Sequence, residues 1–211
     1  HKITPADLEG NALSLTELLS SFESGDEVIL SAGMYLGPVF ITKPLTLKGD
    51  AEAIIDAQGQ GSVIHVKAEN VTIEGLTLIN SGISHEQKDS GIFLDRVAHG
   101  AYVTKNTLRN NLVGVYIWGA KDAEIRENTI TGRDDLRMNE RGNGVYIWNA
   151  PGAYVGFNDI DKGRDGIFVN TSKDNIFEGN RMRDLRYGIH YMHTNTSVIK
   201  DNVSEGNDAG Y

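Results

Sequence analysis

His190, Tyr191, Met192 and His193 form the segment of this 211-residue chain whose side chains are best suited to chemistry. On an extended strand His190 and Met192 project to one side, roughly 6.6–7 Å apart along the backbone, and His193 follows at the next bend. Imidazole and thioether favour a soft cation such as Cu(I), and the absence of carboxylates from the segment argues against calcium or magnesium. The chain has no Cys. A thiolate metal site, a disulfide framework and a cysteine nucleophile are therefore excluded, and Met and His are the only soft donors. Met138, Met182 and His85 are the further donors a completed site would draw on. The alternative is a partly exposed His/Met pair that holds nothing.

Two other groups of residues carry chemical meaning. An Arg-rich edge comprises Arg133, Arg137 and Arg141, followed by Arg164, Arg181, Arg183 and Arg186. The Asp residues among them suggest surface ion pairs of little individual worth, or recognition of an anionic partner or sugar acid. Asp134-Asp135 is the adjacent acidic pair within this edge, hence the general acid/base candidate if the chain is an enzyme. The second group is aromatic: Tyr116, Trp118, Tyr146, Trp148 and Phe168 recur at one place in a repeated phrase. An exposed apolar surface of that size marks a protein interface, a carbohydrate platform or a bed on which loops pack. The net charge of −9 works against non-specific binding to nucleic acid, and no apolar run approaches the ~20 residues that cross a bilayer. The chain begins at His1, not Met, as expected if a leader has already been removed.

The elements that must hold these residues follow from a repeat. Gly91-Ile-Phe-Leu, Gly114-Val-Tyr-Ile-Trp, Gly144-Val-Tyr-Ile-Trp, Gly166-Ile-Phe-Val-Asn and Gly188-Ile-His-Tyr-Met are separated by 23, 30, 22 and 22 residues. Asn106, Asn128, Asn158, Asn180 and Asn202 interleave with them at 22, 30, 22 and 22. A period near 22 with alternating apolar residues fits a coil of three short strands stacked about 4.8 Å per turn. The expected fold is all-β: a right-handed parallel β-helix with a short N-terminal capping helix, divided as 1-26 cap and 27-211 solenoid. Asn at the repeated position is expected to take the left-handed conformation of a bend and to form an interior ladder, and the glycines to supply the other bend. Ser14-Leu-Thr-Glu17 reads as a capping box opening an amphipathic helix over 14–22. Alternation sends Ile92/Leu94, Val115/Ile117, Val145/Ile147, Ile167/Val169 and Ile189/Tyr191 inward and the aromatic column outward. Residues near 80–90 and 131–143 lengthen two coils at one corner and are expected to project as binding loops. The chain stops at Gly210-Tyr211, where the next phrase would begin, which implies a cut in mid-solenoid.

Gly142-Asn-Gly-Val-Tyr-Ile-Trp-Asn-Ala-Pro-Gly152, Gly163-Arg-Asp-Gly-Ile-Phe-Val-Asn-Thr-Ser172, Asp184-Leu-Arg-Tyr-Gly-Ile-His-Tyr-Met-His-Thr-Asn195 and the stretch Ser31 to Gly49 together resemble the NosD family, periplasmic maturation proteins of nitrous oxide reductase. The resemblance implies a non-enzymatic, periplasmic role. In it the protein handles Cu(I) transiently, alongside ABC transporter subunits, a copper-donor lipoprotein and nitrous oxide reductase, with no nucleic acid partner and no direct membrane insertion. It also implies that His190, Met192 and His193 matter, without defining a ligand set. Parallel β-helices also act on polysaccharides, so a carbohydrate-binding protein, or a lyase, hydrolase or epimerase, is the alternative. The clustered Asp with Gly-His-Gly of polygalacturonase-like hydrolases and the Asp-Pro-His-Asp of alginate epimerases are both missing.

Overall fold

Every coil turns three corners, and between corners the backbone of one coil hydrogen-bonds to the coils on either side. The computed structural model describes residues 1–11, 13–50 and 52–210; of the Gly210-Tyr211 pair at which a further phrase is expected, Tyr211 lies outside them. The short alternating segments form three parallel sheets of nine, eight and seven strands. One strand of each makes a coil, as in Tyr102–Thr104, Thr107–Arg109 and Val113–Trp118. The seven-stranded sheet stacks Val39–Ile41, Ile64–Val66, Ser90–Leu94, Val113–Trp118, Val145–Trp148, Asp165–Asn170 and Tyr187–Met192. The register keeps like on like: Tyr116 pairs with Tyr146, Trp118 with Trp148, and Phe168 with His190. The fold is the expected parallel β-helix.

The interior is a continuous apolar column. Ile92, Leu94, Val115, Ile117, Val145, Ile147, Ile167, Val169 and Ile189 are fully buried, and Tyr191 packs on the core from a partly exposed position. The Asn residues form the expected ladder. Asn158 Nδ2 donates to Asn180 Oδ1 (2.9 Å) and to Ile125 O (2.9 Å), while its Oδ1 accepts from Asn128 N (2.9 Å) and Nδ2 (3.0 Å). The same pattern links Asn106 to Asn128 and Asn180 to Asn202.

The bends differ from expectation. The left-handed residues are those just before the ladder, Lys105, Glu127, Phe157, Gly179 and Asp201. The Asn side chain must point inward to reach the next coil, so the strained residue is its exposed neighbour. Gly91, Gly114, Gly144, Gly166 and Gly188 supply no positive-φ bend either. They are glycines because a Cβ would strike the next coil: at Gly144 it would sit 2.3 Å from Ile160 Cγ2 and 2.7 Å from Gly166 O.

The N-terminal segment covers the three sheet edges with three elements, where the sequence predicts one helix. Lys2–Ile3 pairs with Glu27–Leu30 as an extra strand. Helix Pro5–Asn11 lies against Gly33–Leu36. Helix Leu15–Ser20, shorter than 14–22, carries the expected Ser14/Glu17 capping box and buries Leu15 and Leu19. Thr16 Oγ1 of this helix accepts from Phe40 N at 3.0 Å and so occupies an edge donor of Val39–Ile41.

The ladder and the glycine column predict distinct costs. Asn158→Ala leaves Asn128 N without its interior partner, takes one donor from Ile125 O, and is expected to destabilise by about 1–3 kcal/mol. Gly144→Ala is expected to cost about 1–3 kcal/mol through overpacking. Urea unfolding midpoints of both variants check these values.

Candidate functional site

The outward residues of the seven-stranded sheet form a ladder of rings. Phe40, His65, Phe93, Tyr116, Tyr146, Phe168 and His190 follow one another at centroid separations of 5.7, 4.4, 4.9, 4.9, 4.9 and 4.9 Å. Phe40 and His65 escape the sequence pattern because their coils lack the Gly phrase, although each occupies the outward position of an alternating strand. Beside the ladder, Trp118 and Trp148 lie 6.5 Å apart and the Arg96 guanidinium rests 4.6 Å from the Trp118 ring centre. The loops cover part of this face: Leu136 packs with Trp118, Trp148 and Tyr146 against a buried cluster of Leu112, Val113 and Tyr116.

Both long loops rise from the corner between the eight- and seven-stranded sheets, and His85 Nε2 meets Glu140 O at 2.9 Å, joining one to the other. Beneath that junction a cavity of about 310 Å³ opens over Tyr146, Phe168 and His190. It brings together three of the six candidate metal donors, His85, His190 and Met192, with Arg141 of the loop edge.

His190 is held firmly. Asp165, whose side chain is 1% exposed, accepts from Arg186 Nε (2.9 Å) and Nη2 (2.7 Å) and lies 2.9 Å from His190 Nδ1. A carboxylate only accepts, so Nδ1 is the donor of this contact, and Nε2 is the ring nitrogen turned away from Asp165. Tyr187 stacks on the imidazole at 4.7 Å. The sequence reading treats Asp165 and Arg186 as surface ion pairs. Their signal was the 21-residue offset, nearly one coil, which places them on adjacent turns.

The remaining donors are elsewhere. Met182 cannot serve: it is fully buried, because in Arg181–Arg183 the flanking arginines point out and the thioether points into the core. Met138 sits in the short 3-10 turn Met138–Glu140 and does not line the cavity. His193 is exposed at a left-handed bend (φ 50°), also outside the cavity lining. Of the other arginines, Arg133 is bound by Asp135 (2.7 Å), and Arg137 is exposed, its backbone N donating to Glu140 Oε2 (3.3 Å). Arg141 Nε donates to Leu136 O (2.9 Å).

The acidic pair has the wrong electrostatics for a general acid. Asp134 is paired with Lys162 (2.8 Å) and Asp135 with Arg133, and these partners hold both carboxyls below the usual carboxylate range. Neither lines either of the cavities over the ring ladder. A second cavity, of about 590 Å³, lies over Phe40, His65, Phe93 and Tyr116, with Glu86, Asp89 and Asp95 on its walls. Burial, aided by Lys67, pushes the His65 imidazole below the ordinary histidine range, against the opposing pull of Asp95 at 3.3 Å.

Residues 126–211 match the family model described as "NosD: Periplasmic copper-binding protein (NosD)". A protein of Stutzerimonas stutzeri named "Probable ABC transporter binding protein NosD" is 37% identical over 137 residues, which cover 65% of this chain and 31% of that protein. Its namesake from Pseudomonas aeruginosa is 36% identical over 137 residues, covering 65% and 32%. A "Cell surface glycoprotein" of Methanothermus fervidus is 31% identical over 201 residues, covering 88% and 32%. The chain thus spans about a third of the length of the curated relatives it matches. Among solved structures, pectate lyase Pel9A superposes with a TM-score of 0.61 at 14% identity over 82% of this chain and 49% of its own. The Azotobacter vinelandii mannuronan C-5 epimerase AlgE6 A-module gives 0.62 at 15%, over 82% and 52%. At such identities the likeness shows the fold alone. No helix among the described residues is long and apolar enough to cross a membrane.

The position of His65 predicts a pH effect on folding. The unfolded chain takes up a proton near pH 6.5 that the folded ring resists, so stability falls as pH drops through about 6.5 and levels off once the folded ring also titrates. His65→Phe continues the ring ladder and removes this proton uptake. Urea midpoints between about pH 7.5 and 5.5 are expected to fall less in the variant than in the parent.

Proposed function

We propose that this chain, whose residues 126–211 match the NosD family model, is the copper-handling β-helix segment of a periplasmic NosD-type protein, with Cu(I) as its cargo. The observation that carries the reading is the convergence of His85, His190 and Met192 on one cavity beneath the joined loops. Two imidazoles and a thioether suit Cu(I). The Asp165 carboxylate behind His190 is the outer partner that fixes the orientation of the ring.

The rest of the lining favours release over storage. Lys88, Arg141, Arg164 and Arg186 face the same cavity, and fixed positive charge weakens the hold on a cation. A carrier that receives and surrenders copper needs such a balance, which is the transient association the family resemblance implies. The partners in this reading are an ABC transporter, a copper-donor lipoprotein and nitrous oxide reductase. The transporter draws support from the printed names of the two bacterial relatives. Trp118, Trp148 and the exposed Arg137 of the covering loop are the docking residues in this reading. The role in this reading is non-enzymatic; Asp134-Asp135, the general acid/base candidate of the Arg-rich edge, is ion-paired away from the cavities.

Anaerobic titration with Cu(I) against a competing chelator tests the proposal. His190→Ala, Met192→Ala and His85→Ala are expected to weaken binding, and Asp165→Asn to weaken it by about 10–100-fold through loss of the ring's anchor. Met138→Ala is expected to match the parent. Equal affinity in the parent and all three donor variants, or no stoichiometric binding, would overturn the assignment.

A further inference from the structure

The larger cavity, over His65, has a floor of rings that the copper reading does not use. Phe40, His65, Phe93, Tyr116 and Trp118 form this floor, beneath a volume of about 590 Å³. Cations of the chain itself already rest on both ends of the row. Lys67 Nζ lies 5.3 Å from the centre of the Phe40 ring, and the Arg96 guanidinium 4.6 Å from that of Trp118. Phe93, between them, carries no such cation among the described residues.

The walls supply acceptors. Glu86, Asp89 and Asp95 stand against the one ammonium of Lys88, whose Nζ donates to His85 O. Burial keeps the His65 imidazole below its ordinary range, so at neutral pH it adds no positive charge. Asp89 is nearly buried and accepts from Ser84 N (2.9 Å), and Asp95 meets His65 Nε2 at 3.3 Å. Glu86 is exposed and makes no side-chain hydrogen bond or ion pair among the described residues. Tyr116 is only 7% exposed, and its hydroxyl has no hydrogen-bond partner among the described residues. Yet that oxygen is not one of the unpartnered atoms closed off from solvent. A cleft with one sign of charge concentrates ligands of the other sign.

We propose that this cavity is a socket for an arginine side chain of a partner protein. The guanidinium lies on the ring floor and turns its N–H groups to Glu86 and the Tyr116 hydroxyl. A guanidinium is attracted to an aromatic face and donates to a carboxylate in a charge-assisted pair, so one group answers both surfaces. Other occupants leave one of them unanswered. A neutral sugar stacks on rings but leaves the carboxylates uncompensated, and a quaternary ammonium has no N–H to donate. No group of three or more His, Asp or Glu among the described residues is placed to hold a metal ion. Free arginine carries an α-carboxylate towards three others, whereas an arginine within a polypeptide does not. None of the proposed copper donors lines this cavity, so the socket stands whether or not the other cavity takes copper.

The test uses the copper-free chain in chelator-treated, low-salt buffer and follows the indole Nε1–H signals in ¹H–¹⁵N spectra. Trp118 lines the cavity and Trp148 lines neither cavity of the ring ladder, so the second indole is an internal reference. The probes are a blocked Gly-Arg-Gly peptide, its Gly-Lys-Gly counterpart, free arginine, tetramethylammonium and glucose. The arginine peptide is expected to shift Trp118 saturably, more than Trp148, and to bind more tightly than the other four. Added salt is expected to weaken it. Glu86→Gln and Tyr116→Phe are each expected to weaken it about three- to tenfold, with melting temperatures close to the parent. No saturable Trp118 shift, or undiminished binding in both folded variants, would overturn the proposal. Tetramethylammonium or glucose binding as tightly would overturn the guanidinium, and free arginine binding as tightly would overturn the polypeptide source. A failed Cu(I) titration alongside arginine-peptide binding would sink the copper reading alone.

Discussion

Coil-to-coil registration is the constraint from which the rest of this structure follows. Once each strand pairs in parallel with its neighbours, one repeat of 22 residues moves a side chain by one strand spacing, about 4.8 Å, and by nothing else. Residues one period apart are forced into contact, so every position becomes a column and must hold something that can touch itself. Asn does so by hydrogen bonding to Asn, apolar residues by packing, rings by tilted and edge contacts, and Arg by pairing with an acid one coil away. A glycine column is the limiting case, in which the residue above tolerates no side chain at all.

That constraint also decides where function can be placed. Positions within strands are committed to their columns, whereas corners can lengthen without disturbing the pairing on either side. Both long loops use the same corner, and they meet through His85 and Glu140. The ring ladder runs beneath both, so the loops divide one continuous aromatic surface into two cavities. Their walls have opposite electrostatic character: Glu86, Asp89 and Asp95 over His65, and Arg141, Arg164 and Arg186 over His190. The columns supply a rigid floor, and the loops supply the chemistry that distinguishes one cavity from the other.

The same distinction explains what was legible in the residues alone. Strict periodicity exposes the coil, the inward and outward sides of each strand, the Asn ladder and the corner where the loops arise. It does not reveal backbone dihedrals: Lys105 and Asn106 are equally near the bend, and only the inward reach of the Asn side chain decides which of them takes positive φ. Met182 is a candidate donor by residue type alone, whereas the alternation of its flanking arginines sends it inward. Phe40 and His65 belong to coils whose phrase has lost its glycine, so the ring ladder looked two members shorter than it is. His85, Lys88 and Asn143 lie in or beside inserted loops. No period applies there, and their convergence on His190 is a tertiary fact.

The cavity over His190 joins two demands that pull against each other. Soft donors attract Cu(I), yet a unit positive charge held about 8 Å from another costs about 2 kcal/mol at an effective dielectric of about 20. One unneutralised guanidinium at that range therefore weakens a cation's binding by roughly 30-fold. Asp165 neutralises Arg186 and orients His190 at the same time, so a single buried carboxylate serves both the donor set and the field around it. Arg164 has no such partner. In the proposed reading, an anion settling beside it would remove repulsion from a bound Cu(I), and by linkage the cation would strengthen the anion's hold by the same factor. A cation and an anion sharing this cavity would then be coupled through charge alone, with no movement required of the β-helix beneath them.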